Sequence, residues 1–96
     1  MARLVISPLA DSDLNAILEF IARDKPEAAE RWVQKIRDTC LLLAENPDIG
    51  ERRPEFKTVE IRSSLVGRYV IFYRPIHGGI EIARVLSGEH DIRSLQ

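Results

Sequence analysis

The sequence predicts an α+β fold in the order β-α-α-β-β-β, in which an N-terminal helical hairpin packs on one face of an antiparallel sheet. Two patterns predict this fold. Apolar residues recur at helical spacing in the first half of the chain, whereas β-branched and aromatic residues alternate or cluster in the second half. A chain of 96 residues suffices for one modest core, so residues 1–96 are assigned to a single domain.

The first half begins with a short β-branched strand at Arg3–Ile6. Ser7 and Pro8 then form a typical helix start, because the serine caps free N–H groups and the proline lacks one. An apolar face at i, i+3, i+4 and i+7 predicts the first helix over about residues 8–23. The residues of this face are Leu14, Ile17, Leu18 and Ile21.

A second apolar face at helical spacing predicts a helix from Pro26 to about Glu45. Trp32 and Cys40 lie on this face, and we expect both to belong to the core. Only two or three residues separate the helices, so the helices must fold back on each other as an antiparallel hairpin.

The second half is predicted to contain one loop and three strands. Its content of Pro, Gly and charged residues predicts a loop over Pro47–Phe56. The strands are predicted at Thr58–Arg62, Arg68–Arg74 and Ile80–Leu86. Because the links between them are short, these strands form an antiparallel meander.

Both faces of the middle predicted strand are apolar. Val70 and Phe72 point to one side, and Tyr69, Ile71 and Tyr73 point to the other. We therefore expect the hairpin to cover one face and a partner to cover part of the other. The two tyrosines share a face and are expected to pack in the protein or at a partner surface, with stacking on a nucleic-acid base as the alternative.

Composition excludes several classes of protein. The hydrophobic fraction of 45% and the charged fraction of 30% are typical of globular proteins and exclude a disordered chain. No apolar run approaches the ~20 residues of a membrane span, and no apolar run follows Arg3 as in a signal peptide. One cysteine cannot form an internal disulfide, so we expect a cytoplasmic protein with no membrane contact.

The sequence lacks the common motifs of enzymes and cofactor sites. It contains no phosphate-binding glycine loop, no nucleophile elbow and no Cys/His set with metal spacing, so we expect no cofactor and no metal. The net charge is −1, and segment 52–74 contains six Arg or Lys residues against two Glu residues. This basic patch is small, so we expect no direct sequence-specific DNA binding.

Three polar residues have both a structural and a functional interpretation. Arg84 is predicted to share a strand face with Ile82 and Leu86, where it must pair, perhaps with Glu60, or contact a phosphate or an acidic partner. Arg68 is either a solvated strand end or a residue that recognises phosphate or carboxylate. His90 is expected to be a solvated tail residue, since no poised nucleophile identifies it as a general acid or base.

Several short segments together resemble the RelE/ParE toxin superfamily over almost the whole chain. The family consists of toxins from bacterial type II toxin–antitoxin pairs, and its fold has the predicted β-α-α-β-β-β order. The segments that resemble the family are Pro26–Ala29, Asn46–Pro54, Gly67–Arg74 and Ile80–Leu86, followed by Gly88 and Asp91-Ile92.

The resemblance offers two activities, and the residues favour one. RelE-like toxins cleave mRNA in the ribosomal A site, whereas ParE-like toxins lack a nuclease site and act on DNA gyrase. The RelE pattern uses strand lysines, an arginine at the start of the central strand, and a C-terminal arginine and tyrosine. Only Arg68 matches this pattern, so the resemblance implies a ParE-like gyrase inhibitor of the bacterial cytoplasm that is not an enzyme.

Two alternatives remain. A related group of nucleases uses a glutamate, an arginine and a C-terminal histidine, and Glu60, Arg68 and His90 match these residue types. The chain would then be a ribosome-dependent mRNA endonuclease. The chain also differs from the typical ParE ending at Ser87, Glu89 and His90. This difference suggests the second alternative, a non-toxic remnant that only binds an antitoxin.

The resemblance implies two contact surfaces. The surface that contacts gyrase includes Arg84, His90 and Arg93. The antitoxin is expected to have a DNA-binding N-terminal dimer and a disordered C-terminal segment that folds onto the hairpin and the open sheet face. The predicted antitoxin contacts, unless the apolar ones simply close the core, are Leu14, Leu18, Ile21, Trp32, Arg52, Arg53 and Arg74.

Overall fold

The computed structural model describes residues 2–57 and 59–88, and the elements in these residues follow the predicted order with one addition. The predicted α+β fold, with a helical hairpin on one face of the sheet, is confirmed. The elements are β1 (Arg3–Ile6), α1 (Pro8–Ala22), α2 (Pro26–Glu45), β2 (Glu51–Arg52), β3 (Arg62–Val66), β4 (Tyr69–Ile76) and β5 (Gly79–Ser87).

The sheet is mixed rather than wholly antiparallel. Its strand order is β1-β5-β4-β3-β2, and β1 pairs in parallel with β5 while the other pairs are antiparallel. The two helices separate β1 from the meander along the chain, which allows the long crossover that a parallel pair requires. Gly79 lies opposite Arg3, and any side chain at Gly79 would run into the Arg3 backbone.

The second predicted strand lies four residues later than the sequence pattern indicated. Thr58–Arg62 was expected, but β3 covers Arg62–Val66, and Thr58 itself lies outside the described residues. A two-residue turn explains the shift, because Gly67 adopts a φ of 58° and brings Val66 opposite Tyr69. The predicted loop also contains the two-residue strand β2, which pairs with the start of β3.

The main core lies between the sheet and the hairpin. Tyr69, Ile71 and Tyr73 face this core, whereas Val70 and Phe72 face the opposite side, as the alternation predicted. Cys40 is 1% exposed and belongs to the main core, but Trp32 is half-buried at its rim. On the opposite face, a small second cluster consists of Ile61, Val70 and Phe72 with Phe56 and Leu86 packed against it.

Tyr73 attaches the loop before β2 to the sheet. Its buried hydroxyl donates a hydrogen bond to the Pro47 carbonyl oxygen at 2.8 Å and accepts one from the Gly50 amide at 2.9 Å. Burial raises the pKa of this hydroxyl. Tyr69 is also buried, so the two tyrosines serve packing, and neither presents a ring for base stacking.

Candidate partner-binding surfaces

Arg84 pairs with Asp13 on α1. Its Nε donates to Asp13 Oδ2 at 2.8 Å, and a second guanidinium nitrogen donates to Oδ1 at 3.0 Å. These hydrogen bonds raise the pKa of Arg84. The predicted salt bridge is therefore confirmed, but its suggested partner, Glu60, is wrong: Glu60 instead lies 3.6 Å from Arg62 Nε.

A register shift explains why the pattern misplaced Arg84. Tyr73 pairs with Ile82 and Phe72 pairs with Arg84, so Ala83 is an extra residue on β5. Beyond this bulge the faces exchange, and Leu86 joins the second cluster while Ile82 stays in the main core. The expectation that Ile82, Arg84 and Leu86 share one face is therefore wrong.

The β1–α1 junction replaces β1 as the neighbour of β5 after Ile82. The Ser7 amide donates to the Ile82 carbonyl oxygen at 3.0 Å, and the Ser7 hydroxyl donates to the Ala83 carbonyl oxygen at 3.0 Å. Asp13 Oδ2 then accepts from the Val85 amide at 3.0 Å. The last part of β5 is thus attached to helix α1.

The predicted gyrase-binding surface begins at the described end of β5. The Gly88 amide donates to the Arg68 carbonyl oxygen at 2.6 Å, which sets the end of β5 beside the β3–β4 turn. His90 and Arg93 come after Gly88 in the sequence and lie outside the described residues, as does Glu89, one of the positions that differ from the typical ParE ending. Their assignment to a target surface stays a prediction.

A groove of about 480 Å³ opens where the two helices meet, and we call it the hairpin-end groove. The Trp32 ring packs edge-on against Tyr69, with centroids 5.8 Å apart and planes at 71°. Gly67 permits this placement, because a side chain there would overlap the Trp32 ring. The groove is lined by Phe20, Ile21, Arg23, Asp24, Lys25, Ala28, Trp32, Arg68 and Tyr69.

The predicted apolar antitoxin contacts differ in accessibility. Leu14 is 2% exposed and closes the core, so it offers no surface to a partner. Leu18, Ile21 and Trp32 are half-buried. The sequence interpretation missed the more accessible apolar side chains, which lie off the core-facing stripe of each helix. These side chains, each at least 55% exposed, are Leu9, Phe20, Leu41 and Leu42.

The three predicted arginine contacts lie in different environments. Arg52 is exposed on β2, at the edge of the sheet. Arg53 is half-buried, and its Nε donates to the Ser63 hydroxyl at 2.6 Å. Arg74 is exposed and donates to Glu81 at 2.7 Å. A second groove, of about 570 Å³, contains Arg52 and Arg53.

The structure does not bring together the two described residues of the nuclease alternative. Glu60 precedes β3, beside Arg62, whereas Arg68 follows Gly67 beyond the other end of that strand. The five-residue strand between them, at roughly 3.4 Å per residue, separates their backbones by about 17 Å. Within residues 2–57 and 59–88, no three His, Cys, Asp or Glu side chains gather as a metal site requires.

In the part of the chain that the structure describes, neither helix is long and apolar enough to cross a membrane.

Comparison with known families decides the identity. A family described as ParE toxin of type II toxin-antitoxin system, parDE, matches residues 4–92. The chain belongs to this ParE toxin family. The resemblance to the RelE/ParE superfamily is thereby confirmed, and the ParE branch is the one that matches.

Solved structures agree with this assignment. Ten chains match the toxin significantly. A chain from a chromosomal ParDE TA system from P. aeruginosa is 25% identical, with a TM-score of 0.74, and the match covers 91% of this toxin and 96% of that chain. Among curated proteins, no sequence matches significantly.

Proposed function

We propose that this ParE toxin inhibits DNA gyrase by binding it, without catalytic chemistry of its own, and that a cognate antitoxin neutralises it. The match to the ParE toxin family over residues 4–92 supports gyrase as the target, and the separation of Glu60 from Arg68 by the length of β3 supports the absence of catalytic chemistry. A general acid or base must lie within hydrogen-bond reach of the reacting group. A backbone separation of about 17 Å along β3 argues against a shared nuclease site for Glu60 and Arg68.

The end of β5 supports a role in target binding. The Asp13 carboxylate accepts three hydrogen bonds from Arg84 and Val85, which fixes the strand immediately before the C-terminal residues. A strand that is fixed in this way presents the residues that follow it from a defined position, which favours binding to a target. We therefore assign gyrase recognition to His90 and Arg93, and we assign to Arg84 the fixing of the strand that precedes them.

A plasmid assay tests the proposed target. Purified gyrase, ATP, relaxed plasmid and the toxin are mixed, and both supercoiling and trapped double-strand breaks are scored. We expect reduced supercoiling or trapped breaks with the wild-type toxin, and a weaker effect with His90→Ala and Arg93→Ala. Arg37→Ala, on an exposed part of α2, is the matched control and should act like the wild type. Unchanged supercoiling and break levels with folded wild-type toxin would contradict the proposal.

Exposed apolar side chains on the hairpin support an antitoxin partner. Phe20 is 65% exposed, and Leu9, Leu41 and Leu42 are exposed nearly as much. A segment that folds onto the toxin would remove this surface from water. Binding only to the native state raises the thermal unfolding midpoint, so the protein encoded next to the toxin should raise it. An unchanged midpoint at a molar excess of that protein would count against a tight pair.

A further inference from the structure

The hairpin-end groove combines an apolar floor with a cationic rim, and the proposed gyrase contact does not use it. We propose that this groove docks an acidic stretch of the antitoxin that carries one large apolar side chain flanked by carboxylates. The inference rests on the proposed neutralisation by an antitoxin, and it names the site and the chemistry of that contact.

The floor of the groove is formed before any partner binds. Trp32 is held by its edge-on contact with Tyr69, and Gly67 leaves the space that the ring occupies. Phe20 is 65% exposed at the groove although it is a large apolar residue. Burying an aromatic or aliphatic side chain against such a rigid surface is favourable, because little conformational entropy is lost on the toxin side.

The rim of the groove selects for negative charge. Arg23, Lys25 and Arg68 line it together with a single acidic residue, Asp24. The N-terminus of α2 begins at Pro26, on the same rim, and no side chain caps it. Cationic side chains and a helix N-terminus both favour carboxylates, so an acidic peptide complements this rim.

The second groove is a weaker candidate for the same ligand. Its Arg53 already donates to Ser63 and lies 3.8 Å from Glu55, and Glu60 adds another carboxylate to its lining. Its positive charge is therefore partly neutralised within the toxin. Each groove is lined by three cationic residues and one acidic residue, but only the hairpin-end groove has an exposed aromatic side chain, Phe20, since Phe56 in the second groove is half-buried.

Two groove variants with matched controls test the proposal. Phe20→Ser removes an exposed floor residue, and Lys25→Glu reverses an exposed rim charge. Ile49→Ser and Arg37→Glu make equivalent changes at exposed positions that do not line the groove and that no proposed contact uses. Calorimetry with the full antitoxin gives Kd, and the plasmid assay gives gyrase inhibition for the same preparations.

We expect each groove variant to weaken antitoxin binding at least about tenfold, since buried interface anchors typically contribute this much or more. The controls should stay within about threefold of the wild type, and gyrase inhibition should not change. Salt screens charges but not apolar contacts. Added salt should therefore reduce the difference in antitoxin Kd between Lys25→Glu and the wild type, and it should leave the difference between Phe20→Ser and the wild type unchanged. In toxin grown with 5-fluorotryptophan, the single Trp32 fluorine resonance should shift when the antitoxin binds.

Two results would overturn the proposal. One is wild-type antitoxin affinity in both groove variants, with an unshifted Trp32 resonance. The other is normal antitoxin affinity with lost gyrase inhibition, which would assign the groove to the target. Failure of the wild-type toxin to inhibit gyrase is a separate outcome: it contradicts the proposed target, while tenfold weaker antitoxin binding by the groove variants would still support the docking site.

Discussion

Asp13 and Arg84 form a bidentate ion pair that joins the middle of helix α1 to the last part of β5, across 71 positions of sequence. The side chains are 13% and 30% exposed, so the pair is partly shielded from water. Asp13 also accepts the Val85 amide, which would otherwise be unpaired where β1 ends. The Asp13 carboxylate thus stabilises the charge of Arg84 and also the backbone of β5 beyond the point where β1 ends.

The pair should contribute measurably to stability. Asp13→Asn removes a charge-assisted contact, so we expect a loss of about 1–3 kcal/mol in the free energy of unfolding. Arg84→Gln should lose a similar amount, and the double variant should lose less than the sum because the two residues share one interaction. Urea unfolding of all four proteins completes the cycle. Additive losses would show that the ion pair does not couple the two elements.

Gly67 should be required for the position of Trp32. Gly67→Ala places a non-glycine residue at a φ of 58° and also runs into the Trp32 ring. Gly78→Ala is the matched control, because Gly78 has a φ of 81° but no atom within 4 Å of the added carbon. Backbone strain alone costs roughly 1–2 kcal/mol, and the clash should add about 1–3 kcal/mol at Gly67.

The readouts for these glycine variants are urea unfolding and Trp32 fluorescence. Only Gly67→Ala should change the emission spectrum of the native protein. Equal losses of stability in the two variants, with unchanged emission, would mean that the Trp32 ring moves aside without cost and that the groove floor is not rigid.

Local sequence signals were sufficient to predict the helices. Ser7 accepts the Ala10 amide at 3.1 Å, and α1 begins at Pro8 as the capping pattern indicated. Apolar spacing and the second proline likewise predicted α2 from Pro26 to Glu45. These features act within one or two turns of helix, so they can be recognised without knowledge of the fold.

Tertiary pairing determined what the sequence could not reveal. Val59 and Ile61 alternate with polar residues like a strand, but the turn at Gly67 fixes the register and starts β3 at Arg62. The bulge at Ala83 likewise lies just beyond Ile82, where pairing with the parallel strand β1 ends at Ile6. No local motif marks Asp13 as the partner of Arg84, and none marks the hairpin-end groove. Both depend on how distant segments pair and pack in the fold.

The buried Cys40 thiol should make stability depend on alkaline pH. Burial raises the pKa of the thiol from 9.0 to about 11. Between these values the unfolded chain releases the proton and the native chain keeps it, so stability is retained below about pH 9 and lost as the pH rises toward 11. The loss from this group is at most roughly 1.4 kcal/mol per pH unit.

Comparison with Cys40→Ala isolates this contribution, because the variant lacks the thiol and keeps every other ionisable group. The wild type should lose stability from the thiol as the pH rises, and Cys40→Ala should not. The difference in free energy of unfolding between the two proteins should therefore shrink between about pH 8 and about pH 10.5. A constant difference between the two proteins over this range would show that the native thiol ionises as readily as the unfolded one.

Glu60 should have no role in toxicity. Glu60 is exposed and lies 3.6 Å from Arg62, which also donates to the Asp48 and Gly50 carbonyl oxygens, so loss of the Glu60 charge should cost at most about 1 kcal/mol. Glu60→Gln should therefore arrest growth and inhibit gyrase like the wild type, and neither protein should cleave mRNA on ribosomes. Glu51→Gln, at an exposed position of β2, is the matched control. Ribosome-dependent cleavage that is lost only in Glu60→Gln would restore the nuclease alternative.

The most direct test of the central claim is a reversal titration with purified gyrase. Toxin sufficient to suppress supercoiling of relaxed plasmid is mixed with increasing amounts of its antitoxin before gyrase and ATP are added. The proposed binding mechanism predicts that supercoiling is suppressed by the toxin alone and returns in proportion to the antitoxin added, until the toxin is saturated. Full supercoiling at a large molar excess of folded toxin over gyrase, with no antitoxin present, would contradict it.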